Sequence, residues 1–274
     1  MADKPASGGW KAELRSLAGM VVAILLVWTF VARPFYIPSE SMMPTLIKGD
    51  RLVVTKYPYG YDYASLILHP HPFGGRLFGR LPKRGDIVTL DRAGEDLIKR
   101  VIGLPGDRIE VRQGVIILNG VPVPRVRETP AMLPVDANLA CEMGYEPGFR
   151  TAGADGKTYC ALPRYRETLP NGASYDTIDM GYFPAGPDDY PEITVPSGHV
   201  FVMGDNRDES ADSRVPFTDN GLDGPIPLEA ISGRAEAITH SYDGTGKLWN
   251  PISWVTALRH GRALISLHPQ QAGR

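Results

Sequence analysis

The stretch from Ser16 to Ala32, SLAGMVVAILLVWTFVA, carries no charged residue and is bounded by Arg15 and Arg33. A helix rises about 1.5 Å per residue, and roughly 17 to 25 apolar residues cross a bilayer. The run therefore sits at the short end of a membrane span. Flanking arginines can snorkel outward, and Trp28 and Phe30 suit an interface. The alternative is the apolar segment of a cleaved leader. Cleavage after Ala32 would put bulky Phe30 three residues before the cut, where a small side chain is needed, so the reading favours an uncleaved anchor. Lys4, Lys11 and Arg15 precede the run, whereas Arg33 and Lys48 follow it. The positive-inside rule then leans weakly towards an N-terminus on the cytoplasmic side.

Beyond this run the texture changes. The chain has 274 residues, enough for one or two domains with a real core. Lys and Arg number 29 against 31 Asp and Glu, so no basic field invites nucleic acid. Thirty glycines and 25 prolines work against long helices and favour strands and turns. Short apolar runs predict strands at 51–55, 86–90, 97–102, 108–112, 115–118, 199–203 and 230–239. Gln113-Gly114 and Asn119-Gly120 mark tight hairpin turns. Tyr57 to Pro82, which includes His69-Pro-His71, reads as a surface loop. Residues 129–192 read as irregular, too long for a structureless loop and so part of an inserted subdomain. The tail from Leu248 to Leu267 has helical spacing at Ile252, Val255 and Leu258 and either lies on lipid or packs on the core. Cys141 and Cys160 have no histidine nearby to complete a metal site. A disulfide in an oxidising compartment is the better reading, with two free thiols as the alternative.

Three polar segments hold the groups that could do chemistry. In Pro38-Ser-Glu-Ser-Met-Met-Pro-Thr-Leu46, residues i and i+2 of an extended chain share a side, so the Ser39 and Ser41 hydroxyls can converge. An ordinary Ser/Pro loop remains the plain alternative. In Leu97-Ile-Lys-Arg-Val-Ile102, Lys99 lies within an apolar strand. A desolvated amine loses its proton more easily and can act as a general base; alternatively Lys99 and Arg100 face water. The segment from Gly204 to Arg214, GDNRDESADSR, is dense in polar groups directly after a strand. It could hold a carboxylate–guanidinium network, a Ca²⁺ loop or a solvated turn, and it does not fit the EF-hand pattern. Gly49-Asp50 and Gly85-Asp86 are simplest as turns. No G-x-S-x-G elbow, P-loop, G-x-G-x-x-G or H-E-x-x-H occurs.

In order, behind an apolar N-terminal segment, the boxes PSESMMPTL, GDRLVV, KRGDIV, IKRVIGLPGD and GDNRDESADSR resemble those of the bacterial type I signal peptidases. The resemblance implies a membrane-bound Ser/Lys protease that removes signal peptides from exported preproteins after small residues, Ala-x-Ala. Ser41 falls on the nucleophile and Lys99 on the general base. Ser39 falls on the hydroxyl that joins the Ser41 N–H in the oxyanion hole. Ser210 falls on the serine that orients the lysine. Asp205, Arg100, Asp212 and Arg214 fall on supporting ion pairs, and Ile37, Met42, Leu46 and Ile98 on positions lining small substrate pockets. Glu40 and Glu209 depart from the usual pattern without removing a catalytic group.

The implied fold is mainly β: a catalytic core with an inserted second β-rich subdomain, preceded by one N-terminal transmembrane helix. The expected boundaries are a cytoplasmic tail at 1–15, the anchor at 16–35, the core at 36–107 and 197–274, and the insertion at 108–196. The implied partners are signal peptides, the lipid bilayer and the secretion translocon, with no nucleic acid. Neither cofactor nor metal is implied. The implied location is the bacterial inner membrane, single-pass, with the catalytic domain facing the periplasm. Rival readings are a specialised Ser/Lys processing peptidase of conjugation type and a non-catalytic anchored binding module.

Overall fold

The computed structural model describes residues 10–61, 75–141, 147–184 and 186–271. His69-Pro-His71 and the middle of the expected 57–82 loop lie outside them. The apolar run forms α1 (Trp10–Phe30), and β1 (Ala32–Tyr36) begins almost at once. The helix therefore starts earlier than the expected anchor, and residues 32–35 are strand instead. Pro34 explains the end: it has no N–H to continue a helix, and it drives Arg33 into an extended conformation. Mean hydropathy reaches 1.7 over an 18-residue window of α1, and none of the helix is buried. Among the described residues it is the one helix long and apolar enough to cross a membrane, judged by length and composition.

The chain continues with β2 (Asp50–Thr55), β3 (Ile87–Arg92), β4 (Glu95–Gly103), β5 (Arg108–Arg112), β6 (Val115–Leu118) and β7 (Val121–Pro122). Next come β8 (Arg125–Pro134), β9 (Arg150–Ala152), β10 (Thr158–Thr168), β11 (Ala173–Ile178) and β12 (Tyr190–Thr194). Then follow β13 (His199–Met203), β14 (Ile226–Pro227), β15 (Ile231–Ser241), α2 (Pro251–Thr256), β16 (Ile265–Ser266) and β17 (Gln270–Gln271). The fold is mainly β. One sheet runs β1-β2-β15-β3-β4-β13-β14, with β16 beside β15. A second runs β12-β5-β6-β7 and a third β17-β11-β10-β8, with β9 beside β10. Both tight turns carry positive φ at each central residue, 49° and 76° at Gln113-Gly114 and 55° and 80° at Asn119-Gly120. That is the geometry a two-residue hairpin needs.

Residues 129–192 are more regular than their composition suggests, since they contain most of β8 to β12. Proline there marks irregularities rather than loops: the β8–β10 register shifts between Leu162 and Arg164, at Pro163. This segment builds its own sheets, yet one apolar cluster joins Ile102, Phe201 and Met203 of the large sheet to Ile109, Val111, Ile116 and Leu118. β17, near the chain's end, pairs with β11 rather than with the large sheet. Cys141 and Cys160 form a disulfide, which removes the free-thiol alternative. Cys160 packs with Met43, Ile47, Leu133 and Ile178, so the bond lies behind the segment that carries Ser41.

The expected helical tail shrinks to α2. Asn250 caps it by accepting from the Ile252 N–H at 3.2 Å. Beyond it, Arg259 donates to both Asp136 oxygens at 2.8 and 2.9 Å and Arg262 donates to Asp50 at 2.5 Å. Those bonds draw the chain onto the core and override its helical spacing.

Candidate active site

Ser41 sits in the turn between β1 and β2. The Ile37 N–H donates to Asp50 and the Gly49 N–H donates back to Ile37, each at 3.0 Å, which closes the base of that turn. Its tip is tied to the 204–214 segment: the Asn206 N–H donates to the Ser41 carbonyl at 3.1 Å, and Asn206 Nδ2 to the Glu40 carbonyl at 3.2 Å. Gly204 makes the approach feasible. A Cβ there would stand 2.4 Å from the Ser41 carbonyl oxygen and 2.2 Å from Ser210 Oγ.

Lys99 comes from β4, opposite Val88 of β3. Its Nζ lies 2.9 Å from Ser41 Oγ. Both residues are buried, Lys99 at 3% exposure. No carboxylate pairs with it among the described residues. Burial pushes Lys99 down from 10.5 to about 8; the Asp212 charge opposes this and Arg214 assists it. An amine in that state can take a hydroxyl proton near neutral pH. Ser39 Oγ lies 3.4 Å from Ser41 Oγ. The Ser41 N–H donates to nothing among the described residues. A hydroxyl and a free N–H beside one Oγ are the donors an oxyanion needs.

Behind the lysine the charges are paired. Arg100 Nε and Nη2 donate to Asp205 at 2.7 and 2.5 Å, and Nη1 donates to the Gly85 carbonyl at 2.7 Å. Burial works against this guanidinium, but the Asp205 carboxylate overrides it and the pKa rises. Asp212 accepts from Arg214 Nε and Nη2 at 3.0 and 2.9 Å and from the Gly204 N–H at 2.8 Å. Although burial raises the Asp212 carboxyl, Arg214 and these bonds bring it below its ordinary value. The 204–214 segment is thus a network, not a Ca²⁺ loop or a solvated turn. No group of side chains suited to a metal ion occurs among the described residues.

Two expectations need revision. Ser210 is buried beside Gly204, but its Oγ makes no hydrogen bond among the described residues, to Lys99 or to any other group. Ile37, Met42 and Leu46 are wholly buried, and Ile98 is 4% exposed. They pack with Phe35, Leu52, Val54, Ile87 and Ile238 as an apolar floor, rather than standing as walls of an open pocket.

The sequence reading also missed participants. Arg207 donates to both Glu167 oxygens, at 2.5 and 2.6 Å, wholly buried. Tyr175 OH donates to Glu167 at 3.1 Å, and the Arg100 guanidinium lies 4.2 Å from the Tyr175 ring centre. Thr45 Oγ1 donates to Asp205 at 2.5 Å. Arg207 stood in a recognised box, but Glu167 and Tyr175 lie in the inserted region with no local signal.

Residues 10–240 match the family model described as Signal peptidase, peptidase S26. The chain is 35% identical to the Signal peptidase I of Rickettsia prowazekii (strain Madrid E), over 94% of each chain. It is 32% identical to that of Rickettsia bellii (strain OSU 85-389), over 93% of this chain and 85% of the relative. A signal peptidase I structure from Enterococcus faecalis V583 gives a TM-score of 0.29 at 21% identity, covering 57% of this chain and 97% of that one. At that score it adds nothing to the fold, which rests on the strands themselves. A mainly-β chain with this family match along most of its length is a serine peptidase of the signal peptidase, peptidase S26 family.

Proposed function

We propose that this chain removes signal peptides from exported preproteins by a Ser41/Lys99 dyad. The observation that carries the reading is the 2.9 Å contact between Lys99 Nζ and Ser41 Oγ, made by a buried lysine whose pKa burial lowers to about 8. Neutral Lys99 takes the Ser41 proton as Oγ attacks the carbonyl that ends the signal peptide. The Ser41 N–H and the Ser39 hydroxyl hold the oxyanion. Protonated Lys99 gives its proton to the leaving amine, and the mature protein departs. Lys99 then takes a proton from water, which hydrolyses the acyl-enzyme. Asp212 and Asp205 are held by arginines and so do not neutralise Lys99 by direct pairing.

The apolar floor of Ile37, Met42, Leu46 and Ile98 leaves little depth below Ser41, which suits small side chains such as those of Ala-x-Ala sites. These four residues close the substrate subsites from beneath. Ser210 supports the dyad by packing at Gly204. α1 anchors the chain in the inner membrane with the N-terminus cytoplasmic and the catalytic part periplasmic, where the disulfide also belongs. Seven residues, Pro34 to Glu40, lie between Arg33 and Ser41, which keeps the nucleophile near the bilayer surface where signal peptides end.

The test is cleavage of a preprotein bearing an Ala-x-Ala site, by wild type, Ser41→Ala and Lys99→Ala, with a chelator present. Cleavage after the final Ala by wild type alone is expected. Activity surviving Lys99→Ala would assign the base elsewhere, and activity lost to chelator would overturn the metal-free mechanism.

A further inference from the structure

The Ser41 N–H holds an oxyanion only if it points at it, and its direction is fixed by the Glu40–Ser41 peptide. That bond is trans, so the N–H and the Glu40 carbonyl share one plane and point opposite ways. Whatever holds the carbonyl therefore aims the N–H. Two donors hold it, the Met43 N–H at 3.1 Å and Asn206 Nδ2 at 3.2 Å. The Asn206 backbone N–H also donates to the next carbonyl, that of Ser41, at 3.1 Å. One residue thus grips the nucleophile on both sides. Asn206 is wholly buried, and its own neighbours are anchored. Before it, Asp205 accepts from two nitrogens of Arg100; after it, Arg207 donates to both Glu167 oxygens. The main chain is pinned to Ile178 of the inserted region. The Ile178 N–H donates to the Asp205 carbonyl and the Arg207 N–H to the Ile178 carbonyl, both at 2.9 Å. Asn206 Oδ1 accepts nothing among the described residues, so the side chain acts there through Nδ2 alone.

We propose that Asn206 is a positioning residue for cleavage: its side-chain amide sets the plane of the Glu40–Ser41 peptide and so aims the Ser41 N–H at the oxyanion. The inference rests on the Ser41/Lys99 reading and adds to it the group that orients the main-chain donor of the oxyanion hole. It also gives the inserted region a part in the chemistry, since Glu167 and Ile178 hold the segment from which Asn206 reaches. Without Nδ2 the Glu40 carbonyl keeps only the Met43 donor among the described residues, and the peptide can rock about it. Outright loss of an oxyanion donor costs about 10²–10³ in rate, and a misaligned donor costs less, about 10–10². The loss belongs in kcat, because the N–H is used only as charge develops on the substrate oxygen.

The experiment compares wild type, Asn206→Ala and Asn206→Leu as full chains in detergent. Both variants lose Nδ2 and keep the backbone N–H, and the leucine also keeps the shape of the side chain. Each is assayed on a preprotein with an Ala-x-Ala site and against two peptides ending in Ala-x-Ala, one a boronic acid and one a carboxamide. Ser41 Oγ adds to the boron, passing its proton to Lys99, and the tetrahedral adduct places an oxygen where the oxyanion would lie. The carboxamide binds without reacting. In both variants kcat should fall about 10–100-fold, with KM within about twofold of wild type. The boronic acid should bind about 10–100-fold more weakly and the carboxamide equally well. The pH midpoint of kcat/KM should match that of wild type, because Lys99 is untouched. A loss of carboxamide affinity as large as the loss of kcat would make Asn206 a structural residue and overturn the inference. Full kcat in either variant, or a moved pH midpoint, would overturn it too, and would leave the dyad standing if Ser41→Ala is silent. Cleavage that survives Ser41→Ala would overturn the dyad reading and this inference with it.

Discussion

Lys99 and Arg100 are adjacent in β4, equally buried, and opposite in electrostatic fate. Strand geometry turns them to opposite faces. Lys99 faces Ser41 and meets a hydroxyl, with no carboxylate in pairing distance among the described residues. Arg100 faces the inserted region and meets Asp205 through two nitrogens, Gly85 through a third, and the Tyr175 ring. One cation is driven towards neutrality at about 8, while the other is held charged above its ordinary value. A base is made beside a scaffold of charge by withholding a carboxylate from one of two neighbouring cations. Desolvation acts on both residues, and a bidentate carboxylate protects only one. The chain keeps its carboxylates close to the lysine yet commits them to arginines.

The largest test breaks the protected side. Asp205→Asn leaves Arg100 buried without its carboxylate and removes a charge that also helps to hold Arg207 charged. Loss of a buried partner of this kind costs about 3–5 kcal/mol, measured as a shift in chemical denaturation. A loss under about 1 kcal/mol would mean that water reaches Arg100 and the contrast with Lys99 is false.

The next test acts on the unprotected side and has the opposite sign. Lys99→Met should abolish cleavage and stabilise the fold at pH 7 by about 3 kcal/mol. Below pH 8 the lysine is protonated in both folded and unfolded chains, and the folded state bears the whole desolvation penalty. Between about 8 and 10.5 the unfolded chain still binds the proton while the folded one has released it, so wild type gains stability as pH rises. The advantage of Lys99→Met should shrink through that window. Equal stability at every pH would show that Lys99 is not desolvated.

The same lowered pKa sharpens the kinetics. kcat/KM should fall about tenfold per pH unit below about 8 and level off above it, read from initial rates across pH at constant ionic strength. A profile flat down to pH 6 would remove Lys99 as the titrating base. The smallest expected effect is Thr45→Val, which deletes the hydrogen bond to Asp205 and a 3.3 Å one accepted from Arg100, and leaves both Arg100–Asp205 bonds in place. About 1 kcal/mol of stability should be lost, with no movement of the pH profile. A shifted profile would couple the two faces of β4, which the geometry keeps apart.

In the large sheet β2, β3, β4, β13 and β15 were readable, because apolar runs such as 51–55, 97–102 and 199–203 pack on other layers and show it in their periodicity, whereas β1, β14 and β16 were not. The region 129–192 was not: its Pro163 lies at a bulge that interrupts β10 without ending it, and local reading takes such a proline for a loop. The tail misled in the other direction. Ile252, Val255 and Leu258 keep helical spacing, but Arg259 and Arg262 find Asp136 and Asp50, more than 100 residues away, and those pairings end the helix.

Readable from the chain alone are a membrane-length apolar helix, a strand-rich body, two hairpins with left-handed central residues, and the serines, lysine and acidic–basic segment that could carry chemistry. These are local properties: residue type, period and turn conformation. It is packing that brings Lys99 Nζ to 2.9 Å from Ser41 Oγ, seats both oxygens of Asp205 on Arg100 and carries Glu167 to Arg207. A pKa depends on the water excluded and on the charges brought near. Here those come from segments separated by 40 to 105 residues, whose approach is set by packing rather than by any local pattern.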